Sequence, residues 1–290
     1  MKIIMFFIVL LVLVSIGCTT TDTYRTESSE VCSYKRENSC STSARSVGYS
    51  KNGRPYRLNF FEIGDQGDIH PRQQVTKLIS EYKEIAKHKD VLLITFMHGW
   101  HHNADGDDED SNVIEFRKIL AETADHIKNK EILGVYVGWR GDSVKVPLLD
   151  KYNLINWSSF WDRKSTAHQL ASQGLTELLL ELETSVTEAN GRNHKMVTIG
   201  HSFGGAALYT ALQPILSERF IKSRASGIES EINGFGDVVV LLNPAFEGMK
   251  FNGLFHLAQG QCESYPKTQP PRLVILSSSA DWPVRCMGPA

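Results

Sequence analysis

One short motif carries residues arranged for covalent catalysis. It reads Gly200-His201-Ser202-Phe203-Gly204, between an apolar stretch at 194–199 and a small-residue stretch that begins at 205. A serine with a glycine two residues away on each side fits a tight strand-to-helix turn that exposes its hydroxyl. The helix directs its first amides and its positive dipole end toward the same point. The motif therefore predicts a nucleophilic Ser202; the alternative is a glycine-rich turn without a catalytic role.

A second motif predicts a site for the negative charge that forms when a serine attacks a carbonyl. His98, Gly99 and Trp100 directly follow the continuous apolar run 91–97. Such an oxyanion needs two hydrogen-bond donors aimed at it. The amides of Phe203 and Trp100 are the predicted donors. His98 is then expected to orient its loop and not to act as the base.

Hydrophobic periodicity predicts the elements that must position these motifs. Strands are predicted at 57–63, 91–97, 132–139, 196–200, 238–242 and 273–277, and helices at 73–87, 111–127, 167–182 and 204–217. Strands that alternate with helices along the chain form a parallel sheet with helices on both faces. The predicted fold class is therefore α/β with a mostly parallel sheet.

Taken together, the motifs resemble those of the α/β-hydrolase superfamily, in particular bacterial serine-hydrolase-like proteins of largely unassigned substrate. The resemblance covers about residues 90–290. Besides the two motifs above, it rests on Gly138-Trp139-Arg140-Gly141, Asn243-Pro244-Ala245 and Ser278-Ser279-Ala280-Asp281-Trp282-Pro283. It implies the α/β-hydrolase fold and hydrolysis of a carboxylic ester or related acyl compound by Ser202, without a cofactor.

The resemblance also implies a catalytic acid and a catalytic base. The acid usually lies after the strand two beyond the serine turn, which makes Asp281 the predicted acid and Glu247 the second candidate. The base histidine comes last in this superfamily, yet no histidine follows Asp281 and the last one is His256. The expected final helix, strand and histidine loop are missing, so the chain is expected to be truncated or a degraded enzyme. His256 is the weaker alternative as base.

The N-terminus predicts export and lipid anchoring. Residues 3–17 are apolar and uncharged, shorter than the roughly 20 residues of a membrane span and typical of a signal peptide. They end in Gly17-Cys18, which resembles a bacterial lipobox. Residues 1–17 are therefore predicted to be a signal peptide, and Cys18 a lipidated residue on the bacterial cell envelope. The alternatives are an ordinary signal peptide or an uncleaved anchor.

After Cys18, the composition of the chain predicts a tether followed by one domain. Residues 19–50 are rich in serine and threonine, so 18–56 are predicted to be the lipidated cysteine and a flexible tether. Residues 57–290 are predicted to be the hydrolase domain. The favoured disulfides are Cys32–Cys40 and Cys262–Cys286, because each pair is close in sequence; four cysteines allow three connectivities.

The composition also limits the classes of binding partner that are expected. With 31 basic and 33 acidic residues, the net charge is -2, and no basic face for nucleic acid is expected. The predicted partners are a small-molecule or lipid ester and the membrane that holds the anchor. No metal site is predicted, since His98, His101 and His102 have no carboxylate at fixed helical spacing. The rival hypothesis is an inactive, lipid-anchored binding or structural protein that keeps the fold.

Overall fold

The described part of the chain alternates between strands and helices. The computed structural model describes residues 23–35, 40–64, 66–70, 72–99, 102–104, 110–139, 166, 174–187, 192–227, 230–259 and 265–278. The strands are β1 Cys32–Ser33, β2 Arg45–Tyr49, β3 Pro55–Ile63, β4 Ile69–His70, β5 Val91–Met97, β6 Glu131–Trp139, β7 Lys195–His201, β8 Val238–Leu242 and β9 Leu273–Leu276. The helices are α1 Arg72–His88, α2 Ser111–His126, α3 Gly174–Thr187, α4 Phe203–Ala225 and α5 Gly248–Gln259.

Within the described ranges, all nine strands belong to one sheet. Its order is β1-β2-β3-β6-β5-β7-β8-β9, with β4 paired to β3. Every pairing from β3 through to β9 is parallel, whereas β2 and β4 run antiparallel to β3. The central strands β5 and β6 are almost fully buried, as expected for parallel strands covered on both faces. The predicted α/β class with a mostly parallel sheet is confirmed.

The helices cover both faces of the sheet, as predicted. Helix α2 packs Val113, Phe116 and Leu120 against Phe60 and Tyr136 of the sheet. Helices α1, α3 and α4 contribute the larger core on the opposite face. None of the helices in the described ranges has the length and apolar content needed to cross a bilayer.

The strand order reverses between the neighbouring strands β5 and β7. After β5 the chain passes through α2 to β6 on one side, and after β7 it passes through α4 to β8 on the other. The loops that leave the carboxyl ends of these two strands therefore diverge and open a crevice, where ligands of open α/β sheets bind. Both sequence motifs, at His98 and at Ser202, lie at these ends.

The N-terminal segment, residues 23–35 and 40–50, differs from the flexible tether predicted for 18–56. Strand β2 extends the sheet by pairing with β3, and β1 pairs with β2. Arg25 and Cys40 are buried. Serine-rich composition misleads here because the hydroxyls are paired inside the fold: Ser46 Oγ donates to Leu58 O at 3.1 Å. The described residues of this segment are thus part of the globular fold.

One of the two predicted disulfides lies in this segment. Cys32 and Cys40 are bonded, so the prediction for this pair is confirmed. The pair Cys262 and Cys286 lies outside the described residues. By closing a short loop, the bond restricts the unfolded chain.

Candidate active site

Ser202 stands at the turn between β7 and α4 in a strained backbone conformation. Its φ is 52° and its ψ is -119°, a region that costs a non-glycine residue about 1–3 kcal/mol and persists only where the surroundings enforce it. Its N–H donates to Leu242 O at 2.9 Å, and its carbonyl accepts from Ala245 and Ala206 at 3.0 and 3.1 Å. Ser202 is half-buried, and its hydroxyl makes no capping hydrogen bond to α4.

Close backbone contacts explain why glycines flank this serine. A Cβ on Gly204 would lie 2.3 Å from His98 O and 2.4 Å from Met97 O, so the start of α4 touches the end of β5. A Cβ on Gly200 would lie 2.7 Å from Leu208 Cδ1, on the same helix. Only residues without a side chain permit this approach of strand and helix. The fold thereby brings the two sequence motifs into contact.

The second motif meets the serine at Gly99. A Cβ on Gly99 would lie 2.8 Å from Ser202 Cβ and 3.3 Å from His201 Nδ1. The loop after β5 therefore begins in contact with the serine turn, at Gly99. Phe203 is the first residue of α4, and the N–H groups of a first turn are directed toward the N-terminal end, where the helix dipole is positive. This is a suitable environment for an anion beside Ser202.

His98 fixes the start of that loop. Its ring is fully buried and stacks between Trp139 and Tyr136, with centroid distances of 5.8 and 5.6 Å. Trp139 N donates to Nε2 at 3.0 Å, so we assign the ring proton to Nδ1, which donates to Gly99 O at 2.8 Å. In addition, Trp139 Nε1 donates a hydrogen bond to His98 O at 2.9 Å. Both ring nitrogens are thus engaged, and His98 orients the loop.

We expect His98 to make the fold sensitive to acid. Burial lowers the pKa of its imidazole from 6.5 to about 4, against an opposing hydrogen bond with Gly99. Between those values the unfolded chain binds a proton that the folded chain does not, so stability falls as the pH drops through this window. The expected loss by pH 4 is roughly 3 kcal/mol.

This loss is measured from urea unfolding of the wild type and His98→Asn between pH 7 and pH 4. The variant should be less stable at pH 7, because it loses the stacked ring and its hydrogen bonds. Its stability should fall less steeply with acid, because it has no imidazole to protonate. Equal slopes for the two proteins would contradict the assignment of a buried, neutral His98.

The far side of the same loop is held by Asp110, which ends an acidic run before the predicted helix at 111–127. Asp110 caps α2 by accepting from Asn112 N at 2.8 Å, and it also accepts from Asn103 N at 3.1 Å. His102 Nδ1 lies 3.2 Å from each carboxylate oxygen. Burial raises the pKa of Asp110, but the bonds from His102 and the amides outweigh it and hold that pKa below its usual value. An aspartate directly before a predicted helix was the available signal.

Asn243 organises the chain on the opposite side of the serine turn. It follows β8 with a φ of 42°, which asparagine tolerates better than most residues. Its N–H donates to Leu276 O at 2.7 Å, and its Oδ1 accepts from Ser278 N at 2.6 Å. Asn243 therefore holds the chain at Ser278, just after β9. Ser278 is three residues before Asp281.

Several predicted residues lie elsewhere. Trp100, Asp281 and Cys18 are outside the described residues, so their assignments stay predictions. Glu247 is half-buried after β8, with its carboxylate 3.8 Å from Lys250 Nζ. His256 is exposed in the last turn of α5. In the described ranges, no three histidine, cysteine or acidic residues are grouped to hold a metal ion.

Comparison with known proteins identifies no relative of this chain. No family model matches the chain, and neither a curated protein nor a solved structure matches it. The chemistry must therefore be inferred from the site itself: a serine on a strained turn at a helix N-terminus, beneath a loop fixed by a neutral histidine.

Proposed function

We propose that this protein is a serine hydrolase of the α/β-hydrolase fold, acting on a carboxylic ester or a related acyl compound. The observation that carries the proposal is the backbone of Ser202, whose φ of 52° is maintained by three hydrogen bonds, two with the end of β8 and one with α4. Strain of this kind clusters at functional sites, because nothing in folding alone rewards it. The position at the switch point of a parallel sheet supports the same proposal.

The proposed reaction begins with attack of Ser202 Oγ on the substrate carbonyl carbon. As the tetrahedral intermediate forms, the carbonyl oxygen becomes negative and is held by the amides of Phe203 and Trp100. Collapse expels the alcohol and leaves an acyl-serine, which water then hydrolyses to the free acid. In a site that has its base, the serine proton passes to that base and from there to the leaving alcohol; without the base, water must take and return the proton, and the reaction is slow. Asp281 is the residue proposed to orient that base.

Hydrolysis of p-nitrophenyl esters tests the proposal and the position of the base together. No histidine follows Asp281 in the sequence, and a site without its base retains about 10³–10⁴-fold acceleration over water. We expect the 290-residue chain to hydrolyse the ester slowly through an acyl-enzyme on Ser202. His256→Ala should keep the rate within about twofold, since His256 is exposed on α5.

Two outcomes would overturn parts of this expectation. Fast turnover that His256→Ala abolishes would show that His256 is the base. Hydrolysis and acylation that are the same in Ser202→Ala as in the wild type would reject the enzyme, and would support a binding protein that keeps the fold.

The proposed location is the bacterial cell envelope, with Cys18 as the lipid-bearing N-terminus. The support is the uncharged apolar stretch that ends in Gly17-Cys18. Stable attachment requires more than one acyl chain, so the mature protein expressed in a bacterium should carry a multiply acylated Cys18. Mass spectrometry of the N-terminal peptide measures this. An unmodified Cys18, or cleavage at another residue, would exclude the anchor; Cys18→Ala is the matched control.

A further inference from the structure

A single buried side chain ties the N-terminal segment to the loop between β5 and α2. The guanidinium of Arg25 is 1% exposed. Its Nε donates to Ala104 O at 2.7 Å, and its Nη1 donates to Cys40 O at 2.5 Å and to Ser43 O at 3.3 Å. Its carbon atom Cζ lies 3.6 Å above the ring of Phe60. The planar guanidinium thus joins carbonyls from separate parts of the chain in one fixed geometry.

The backbone of Arg25 is held as firmly as its side chain. Its N–H donates to Glu62 Oε1 at 2.7 Å, and the N–H of Tyr24 donates to Glu62 Oε2 at 3.1 Å. Glu62 lies near the carboxyl end of β3. Arg25 is therefore anchored on the sheet itself and provides a rigid support for whatever its guanidinium holds.

Ala104 belongs to the loop that begins beside Ser202. That loop starts at His98 and Gly99, beside the serine, and is anchored again at Asn103 by Asp110. Ala104 is 1% exposed, and its Cβ lies 2.7 Å from the position that a Cβ would take on Gly138 of β6. Along the chain, Trp100 lies between these anchors, and its amide is the second proposed oxyanion donor.

We propose that Arg25 is a positioning residue that, through Ala104, holds the loop between β5 and α2 in register with Ser202. The N-terminal segment then sets the reactivity of the serine without touching the substrate. Without Arg25, the buried carbonyls of Ala104 and Ser43 lose this donor, while that of Cys40 keeps its bond from Ser43 N. Such groups are costly to leave unpaired, so the loop end at Ala104 shifts toward other partners. The inference rests on the proposed hydrolase function and adds the part of the chain that tunes it.

The disulfide makes this arrangement depend on oxidation. Cys40, whose carbonyl accepts from Arg25, is bonded to Cys32. In the reduced chain, Cys40 loses its covalent link to Cys32 and is held by the hydrogen bonds that its carbonyl accepts from Arg25 and Ser43. Loss of the disulfide should therefore act in the same direction as loss of Arg25.

The test measures how fast a fluorophosphonate modifies Ser202, together with hydrogen exchange of the loop amides. A displacement of about 1 Å at a reacting group can cost up to 10²-fold in rate. Arg25→Met should slow modification by about 10-fold or more and speed exchange within 98–104. Arg25→Lys keeps the charge and one or two of the donors, so it should recover part of the rate.

Arg54→Met is the matched control. Arg54 also belongs to the chain before β3 and also bonds two carbonyls, those of Ala124 and Lys128, at 2.7 and 2.8 Å. These lie at the far end of α2, away from the loop. Arg54→Met should lower the melting temperature but leave the modification rate within about twofold.

The outcomes separate this inference from the proposed function. An unchanged modification rate and unchanged loop exchange in Arg25→Met would overturn the inference, as would equal slowing in Arg54→Met. If wild-type Ser202 is not modified at all, the hydrolase proposal falls. Faster exchange in 98–104 confined to the Arg25 variants would then still support the role of Arg25 in holding the loop. If Arg25→Met does not fold, Arg25→Lys gives the same comparison.

Discussion

A fluorophosphonate should attach covalently to Ser202 and to no other serine of the chain. The reagent presents a phosphorus with an oxygen that the oxyanion site can bind, and fluoride leaves without needing a proton. The serine proton passes to water or to a base within the site as the O–P bond forms and fluoride leaves. Capture therefore tests the nucleophile and the oxyanion site and, unlike turnover, does not require a general acid for the leaving group. Ser202→Ala should lose the adduct completely, which peptide mass spectrometry detects.

Ser226→Ala is the matched control for this experiment. Ser202 and Ser226 stand at opposite ends of the same helix, but Ser226 has an ordinary backbone, with φ -80° and ψ -12°, and is exposed. It also lies at the negative end of the helix dipole, which disfavours a forming oxyanion. Its replacement should leave capture unchanged. An adduct on Ser226, or undiminished labelling in Ser202→Ala, would refute the nucleophile assignment.

The substitution Gly204→Ala is expected to lower both the stability of the fold and the reactivity of Ser202. A methyl group there would lie 2.3 Å from His98 O and 2.4 Å from Met97 O, and these backbone atoms can move only if the end of β5 moves. We expect a loss of at least about 3 kcal/mol in the free energy of unfolding, at the upper end of overpacking effects. Capture by the fluorophosphonate should be lost as well, because the same contact aligns the loop with Ser202.

Two other glycines give a graded comparison in urea unfolding. A Cβ on Gly205 would meet its nearest atoms at 3.1 Å, so Gly205→Ala should destabilise less. A Cβ on Gly253, inside α5, would have no atom within 4 Å. Gly253→Ala should be neutral or stabilising by about 0.5–1 kcal/mol. If Gly204→Ala unfolds at the same urea concentration as Gly205→Ala, the close approach of α4 to β5 is wrong.

The sequence by itself determined the elements whose apolar pattern is local. Strand β5 has the predicted bounds, Val91–Met97, because a continuous apolar run bounded by polar residues fits only a buried element of that length. The strand, turn and helix around Ser202 were also predicted, since glycine spacing is a local steric requirement. The pairing of Cys32 with Cys40 followed from their closeness along the chain.

Contacts between distant residues decided where some helices lie. Helix α4 was predicted to end at 217 but continues to Ala225. Arg219 in this extension donates two 2.6 Å hydrogen bonds to Glu183 of α3, and Phe220 is buried. Helix α5 was not predicted, because its glycines weaken the local helical signal. It is supported by packing: Leu254 is buried in the core, and Tyr209 of α4 donates to Lys250 O.

Only the tertiary structure decided how the candidate site is assembled. Composition assigned residues 18–56 to a tether, yet Arg25 in that range bonds Ala104, 79 residues away. Likewise, His98 and Ser202 are brought together because β5 and β7 are neighbours in the sheet, although β6 lies between them in sequence. Apolar periodicity reports which face of an element is buried but not which element covers it. The partners of Ser202, His98 and Arg25 depend on long-range pairing, which no local pattern specifies.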